Sequence, residues 1–130
     1  MNQELTSNSG NSDHIKVILN DIKIKGNLKG VVLAKRNGDL IAENIAERNF
    51  DGNIFAAMCA SVLESADNLK KNFGAKKVFK IITELESGHI IIIIELDKKS
   101  FYSFVLGEES KIEPIIDNLD EYNQKLMSLY

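Results

Sequence analysis

The sequence has few of the residues on which redox, metal and phosphate chemistry depend. Its 130 residues include one cysteine, two histidines and two arginines. One cysteine cannot form a disulfide within the chain, and we expect Cys59 to be a buried, inert thiol in a reducing compartment. The histidines, His14 and His89, lack the spacing of a metal site, so no metal ligand is predicted. Scarce arginine and a net charge of -3 argue against nucleic acids and anionic membranes as partners.

Nucleotide-binding loops and membrane-spanning segments are also missing. Neither G-x-x-x-x-G-K followed by Ser or Thr nor a glycine-rich dinucleotide fingerprint occurs, so we predict no cofactor and no cofactor-binding residue. The longest apolar run, residues 90–94, is far too short to cross a bilayer, and the first residues lack the pattern of a signal peptide. We therefore expect a cytoplasmic protein without membrane insertion.

No residue stands out as catalytic. Carboxylate pairs such as Glu84 and Glu86 are more typical of solvated turns than of acid–base catalysis. Arg36 and Arg48 could act as an arginine finger on a GTPase, although an exposed arginine without such a role is the commoner occupant of strand ends and loops. We predict that the protein is not an enzyme and that it hydrolyses no nucleotide on its own.

The composition indicates one globular domain preceded by a short tail. Apolar residues make up 44% of the chain and charged residues 27%, as in ordinary globular proteins. The chain is long enough to bury a core without disulfides. Residues 1–12 are almost entirely polar and cannot bury enough surface to offset the entropy of ordering, so we predict a disordered tail at 1–12 and a domain at 13–130.

Apolar spacing and turn residues predict the order helix, two strands, helix, three strands, helix. The first helix should begin at Ser12 or Asp13 and end at Gly26. Asn37 and Gly38, between strands at 30–36 and 39–45, predict a hairpin with a type I′ turn. Three strands are predicted at 77–84, 89–96 and 100–106, and residues 110–113 match a capping box for the last helix.

The strand predicted at residues 89–96 indicates how many layers of helices and sheet the domain has. It contains five consecutive isoleucines, at residues 90–94. Alternate side chains of a strand point to opposite faces, so such a run does not suit a strand with one wet face. Helices must therefore cover both faces of the sheet, which gives three layers.

The middle helix, residues 51–73, is apolar or small on two sides. Ile54, Met58, Val62 and Leu69 form one stripe, which we expect to face the sheet. Ala56, Ala60 and Leu63 form a second face, and this face favours self-association. The alternative is a helix buried within a single domain, with alanine present for its helix propensity.

Three segments together resemble the roadblock / dynein light chain family, of the MglB-like kind. They are GVVLA at residues 30–34, RNGDLI at 36–41 and IFAAMCASVL at 54–63. The resemblance covers about residues 13–129. It implies an α+β, three-layer α/β/α domain of profilin- or longin-like architecture, with a five-stranded antiparallel sheet of order 2-1-5-4-3. One helix then packs on one face of the sheet and two on the other.

The resemblance also implies a function. Such proteins regulate Ras-like GTPases and dimerise through the middle helix and the third strand. We therefore expect a non-enzymatic dimeric interaction module, paired with itself or with a roadblock paralogue, that binds and regulates or scaffolds a Ras-like small GTPase. The alternative is a small-molecule sensor of profilin- or PAS-like architecture, although no convergent polar groups accompany the isoleucines as a pocket would require.

Two sets of residues are predicted to form the contacts. The predicted dimer interface comprises Ala56, Ala60, Leu63, Asp67, Val78, Lys80 and Ile82. The predicted GTPase-binding face lies on the solvent side of the middle helix and comprises Ala57, Ser61, Glu64, Asn68 and Lys71, which share one side of the helix at i, i+3, i+4 spacing.

Overall fold

The protein is an α/β/α sandwich of five strands and four α-helices within the residues that the structure describes. The structure is a computed structural model that describes residues 3–129, with side chains from Gly10 onward. In chain order the elements are α1 (Gln3–Lys25), β1 (Gly30–Lys35), β2 (Leu40–Ile45), α2 (Gly52–Lys70) continued by a 3-10 turn (Lys71–Phe73), β3 (Ile81–Glu84), β4 (Ile90–Glu95), β5 (Ser100–Leu106), α3 (Glu113–Asp117) and α4 (Leu119–Met127).

The first helix is longer than predicted. Its apolar face, which includes Ile15, Leu19 and Ile22, is buried as expected. The structure places residues 3–12 in the same helix, so the start predicted at Ser12 or Asp13 is wrong. Helical hydrogen bonds are local, and a polar segment can therefore extend a helix without adding to the core. Residues 1 and 2 lie outside the described residues, and the division into a tail and a domain at residue 13 stays a prediction.

The predicted hairpin between β1 and β2 is confirmed, but its turn type is not. Gly38 N donates to Lys35 O at 2.8 Å, and Lys35 N donates to Asp39 O at 2.8 Å. Only Gly38 has a positive φ, of 100°, whereas a type I′ turn needs two such residues. The Asn37 side chain accepts from Asp39 N at 3.0 Å, which stabilises a conformation with negative φ at this position.

The sheet has the order β2-β1-β5-β4-β3, with every neighbouring pair antiparallel, as the resemblance implied. Strand β3 is shorter than predicted, because residues 77–80 precede its first paired residue, Ile81. The isoleucines of β4 contribute to both cores: Ile92 and Ile94 pack on one face of the sheet and Ile93 on the other. The prediction of a sheet covered on both faces is confirmed.

One helix, α2, covers one face of the sheet, while α1, α3 and α4 cover the other. The predicted last helix is divided at Asn118, and the predicted capping box is absent because no side chain caps α3. Ser110 instead holds the preceding loop: its hydroxyl accepts from Gly107 N at 3.0 Å and donates to Asn27 O at 2.6 Å. No helix within residues 3–129 is both long enough and apolar enough to cross a membrane.

Candidate interaction surface

Helix α2 begins where the sequence predicted, and it lies close to the sheet. The Asp51 carboxylate accepts from Asn53 N at 3.0 Å and from Ile54 N at 3.2 Å, which satisfies two of the free donors of the first turn. Gly52 is buried, and a Cβ there would come within 2.7 Å of Glu43 Cδ. A larger residue at this position would require the Glu43 and Leu40 side chains of β2 to move.

The side of α2 that faces the sheet consists mainly of small residues. Its buried members are Gly52, Ala56, Cys59, Ala60 and Leu63. They pack against a cluster that includes Val32, Ala34, Ile93 and Phe101 of the same chain. Ala56, Ala60 and Leu63 were predicted to face a partner, and this orientation is wrong because they are 0%, 6% and 1% exposed in the single chain. Four of these five buried residues are small, and Leu63 is the one large side chain among them.

The large apolar side chains of α2 lie on the solvent side. Ile54, Met58, Val62, Leu69 and Phe73 are 57%, 57%, 44%, 62% and 85% exposed, and we call them the outer face. The prediction that this stripe packs on the sheet is wrong. A contiguous exposed apolar patch of this kind marks an interaction site. Residue size would have identified the correct side in the sequence, since the stripe with alanine and glycine is the one that can approach a sheet closely.

Next to the outer face along the chain lies an unpaired strand edge. Strand β3 ends the sheet, and within residues 3–129 no strand pairs with it on the side away from β4. Phe79, Ile82 and Leu85, in and beside this strand, are 81%, 53% and 44% exposed. Of the predicted contact residues here, Lys80 and Ile82 are exposed and Val78 is half-buried. Their role in a dimer stays a prediction.

The predicted GTPase-binding residues form a third side of α2. Each residue advances about 100° around a helix, so this set lies roughly 110° from the outer face and a similar angle from the sheet-facing side. All five are exposed: Ala57, Ser61, Glu64, Asn68 and Lys71. They are available for contact, and their contact with a GTPase stays a prediction.

An ion cluster fixes the second half of α2 to the sheet. Arg36, at the end of β1, forms ion pairs with Asp67 of α2 and, at 3.2 Å, with Glu95 of β4. Lys70 Nζ lies 3.2 Å from Asp67 Oδ1. Asp67 was predicted to contact a dimer partner, but its carboxylate is held within the chain. Arg36 is likewise half-buried and paired rather than exposed, so it is not positioned as an arginine finger.

The cluster should make stability depend on pH. Burial acts to raise the pKa of Asp67, but the hydrogen bonds and charges of Arg36 and Lys70 outweigh it and lower that pKa below its ordinary value. The stabilisation is therefore complete above about pH 3.9, the ordinary aspartate pKa, and is lost as the pH falls through the lower folded-state pKa. We expect Arg36→Ala to lower the free energy of unfolding at pH 7 by about 1–2 kcal/mol.

Urea unfolding at pH 7 and at pH 3 measures this effect. The difference between wild type and Arg36→Ala should shrink at pH 3, where more of the Asp67 carboxylate is protonated. Lys35→Ala, at the neighbouring exposed position, is the control and should change little. A difference of the same size at both pH values would contradict a role for the Asp67 charge.

The cysteine and the two histidines lie in separate parts of the fold. Cys59 is buried as predicted; burial raises the pKa of its thiol, and a hydrogen bond with Ser103, at 3.4 Å between Sγ and Oγ, opposes this. His14 is exposed, and His89 Nε2 lies 3.3 Å from Glu47 Oε1 in the loop after β2. The part of the chain that the structure describes holds no group of three or more histidine, cysteine or acidic residues placed to bind a metal.

Surface grooves are the features of the structure that bear on the alternative of a small-molecule sensor. A surface groove of about 420 Å³ lies between residues 77–80 and helices α3 and α4. Ile94, Leu96, Ile116 and Leu119 provide its apolar lining. A second surface groove, of about 650 Å³, lies between β3, β4 and the start of α3, and Ile82, Ile90 and Ile92 belong to its lining. Ile93 is packed in the core under α2.

The fold and the family are established by comparison with known proteins. A family model described as the Roadblock/LC7 domain matches residues 15–100. The chain is similar to the gliding protein MglB of Thermus thermophilus, with 13% identity, coverage of 92% of this chain and 90% of that one, and a TM-score of 0.79. Myxococcus xanthus MglB is 16% identical to this chain; the match covers 92% of each of the two chains, with a TM-score of 0.79. A structure described as MglB with a tetrameric arrangement is 14% identical; the match covers 92% of this chain and 89% of that one, with a TM-score of 0.80. No curated protein sequence matched the chain.

Proposed function

The chain belongs to the Roadblock/LC7 domain family, and on that premise we propose that it is a non-enzymatic dimeric module that binds and regulates or scaffolds a Ras-like small GTPase. The observation that carries the proposal is the outer face of α2. Five large apolar side chains, 44% to 85% exposed, lie there on a rigid helix.

A second chain is the partner that we assign to the outer face. Pairing two such faces would remove the exposed apolar surface of both chains, and burial of apolar surface is the main driving force of association. The free edge of β3 supports the same assignment, because two edges can pair their unused backbone groups. One of the similar MglB structures is described as tetrameric, so self-association occurs in a protein with this fold.

The GTPase is proposed from the resemblance to MglB-like regulators. Its docking site would be the third side of α2, which carries the exposed residues Ser61, Glu64 and Lys71 and remains open when the outer face is covered. We predict that the module supplies no catalytic group, and it would then act by stabilising one conformation of the GTPase. Such an effect requires different affinities for the GDP-bound and GTP-bound forms.

Adding positive charge and bulk on this third side should weaken GTPase binding without affecting the fold. We expect Ser61→Arg combined with Glu64→Lys to weaken binding at least about tenfold, because steric bulk and like charge would replace a flat contact. Pull-down and calorimetry with a Ras-like GTPase from the same genome, loaded with GDP or a GTP analogue, would measure it. GTP hydrolysis with and without the module would show the direction of regulation.

The matched control carries similar substitutions on the opposite side of the molecule. Asn20→Arg with Asp21→Lys on α1 adds the same kind of bulk and charge far from α2. It should bind the GTPase as wild type does. If the α2 variant remains dimeric and also binds normally, the docking site lies elsewhere on the module.

A further inference from the structure

We propose that one end of the sheet binds an acidic segment of a partner protein, and that a large apolar side chain of this segment fills the adjoining groove. The site goes beyond the proposed dimer and GTPase contacts, because it uses neither the outer face nor the third side of α2. Two features carry the inference: a cluster of exposed lysines, which the fold assembles from separate loops, and the apolar groove beside α3 and α4.

Three loops meet at the end of the sheet where β1 and β4 finish. Arg36 N, just after β1, donates to Lys99 O in the loop between β4 and β5 at 2.8 Å. The Arg36 guanidinium pairs with Asp67 of α2, and Asp67 pairs in turn with Lys70. Lys70 Nζ donates to Lys76 O at 3.1 Å, so the segment between α2 and β3 lies at the same end of the sheet.

These loops carry an excess of positive charge on a chain whose net charge is -3. Their exposed lysines, which we call the basic end, are Lys76, Lys77, Lys80, Lys98 and Lys99. Among the side chains that the structure describes, none of the five pairs with a carboxylate. The loops contain two carboxylates, and both are engaged within their own turns. Asp97 accepts from Lys99 N and Ser100 Oγ, each at 2.8 Å, and Asp39 accepts from Asn37 Nδ2 at 3.1 Å.

The groove of about 420 Å³ adjoins the basic end directly. Lys77 and Lys80 belong to one of its walls, together with Phe79, which is 81% exposed. The apolar side chains of β4, α3 and α4 that line the groove give it a surface that a large apolar side chain can cover. Such a side chain would be held beside the lysines, so the groove and the basic end form one continuous site.

The charges of the groove orient a bound segment. Two carboxylates belong to its lining, Glu95 and Asp120. Glu95 pairs with Arg36 at 3.2 Å. Asp120 lies on α4, in the wall across from the lysines. Acidic residues of a bound segment would therefore lie on the side of the lysines and away from Asp120, because like charges repel.

This combination fits a peptide segment better than a nucleic acid or a membrane. Lysine is a point charge without the planar fork that arginine uses to bind phosphate, and Arg36, at this end, is already paired. A bilayer is flat and would leave the groove unfilled. Exposed ion pairs are individually weak, so the apolar side chain in the groove would supply much of the affinity and the lysines would select acidic neighbours.

Selection from a displayed library of random short peptides tests the proposal. We expect the wild-type protein to enrich peptides in which aspartate or glutamate flanks a large apolar residue. Their binding, measured by fluorescence anisotropy, should weaken as salt is added. Peptides without acidic enrichment would overturn the proposal. Tighter binding to vesicles of phosphatidylserine and phosphatidylcholine, or to single-stranded DNA, would overturn the choice of partner.

Matched variants locate the site. Lys77→Gln/Lys80→Gln/Lys99→Gln should weaken binding of an enriched peptide at least about tenfold. The control Lys25→Gln/Lys29→Gln/Lys111→Gln removes the same charge at the opposite end of the sheet, where Lys111 N donates to Gly26 O at 2.9 Å, and should bind as wild type does. Equal weakening by both triple variants would overturn the basic end as the site.

A second pair of variants tests the groove. Ile116, 39% exposed, lies in the groove, and Val17, 59% exposed, lies on α1 outside it. We expect Ile116→Ser to weaken binding about fivefold, because it removes apolar contact, and Val17→Ser to have no effect. Sedimentation velocity should show that every variant self-associates as wild type does. Unchanged binding by Ile116→Ser would overturn the role of the groove.

Discussion

Met58→Glu is expected to dissociate the proposed dimer into monomers. Met58 lies in the middle of the outer face and is 57% exposed in the single chain, so the substitution leaves the sheet-facing core untouched. In the dimer the new carboxylate would be buried without a partner in each copy. Burying one unpaired charge costs about 3–5 kcal/mol, which corresponds to a more than hundredfold weaker association.

Sedimentation velocity at tens of micromolar measures this effect. Ser61→Glu is the control: it adds the same charge three residues away, on the third side of the helix, and should leave the dimer intact. Thermal unfolding should show that both variants remain folded. A Met58→Glu protein that still sediments as a dimer would show that the outer face is not the interface.

Ala60→Glu should instead destabilise the fold of the single chain. Ala60 is 6% exposed and packs between α2 and the sheet, in the same cluster as Phe101 and Ile93. A glutamate there would need both space and a partner for its charge, and the close-packed interface provides neither. We expect the free energy of unfolding to fall by about 3–5 kcal/mol, a large part of the roughly 5–15 kcal/mol typical of a domain.

Chemical unfolding followed by circular dichroism, at a protein concentration where wild type is monomeric, isolates this effect from dimerisation. Ser61→Glu again serves as the control and should cost less than about 0.5 kcal/mol. If Ala60→Glu folded as stably as wild type but failed to dimerise, the original assignment of Ala56, Ala60 and Leu63 to the partner-facing side would be correct and the orientation described here wrong.

The predictions for Met58 and Ala60 show what helical spacing predicts about α2 and what it leaves open. Helical spacing predicted two apolar faces on α2, and both exist. Spacing alone did not predict which one faces the sheet, because hydrophobicity favours burial of the larger side chains. The structure places the side with Gly52, Ala56 and Ala60 against the sheet and leaves Met58 and Val62 exposed.

Topology was more predictable than local geometry. The strand order follows from the family resemblance, and the two-sided burial of β4 follows from its isoleucines, because alternation leaves no other arrangement. The type of the turn at Asn37 depends on a single side-chain hydrogen bond. Strand β3 pairs with β4 on one side only, and its apolar residues alone do not predict where that pairing begins. In the ion cluster, Asp67 and Glu95 lie 31 and 59 positions along the chain from Arg36. No local sequence pattern predicts contacts between residues so far apart.

The exposed edge of β3 has a consequence for the newly made protein. A single chain presents a free strand edge beside exposed Phe79 and Phe73, the kind of surface that promotes aggregation. In a cell, chaperones and proteases compete for such a chain before it meets another copy. The proposed dimer would cover this surface, so we expect the abundance of the protein to rise more than in proportion to its synthesis once its concentration exceeds the dissociation constant.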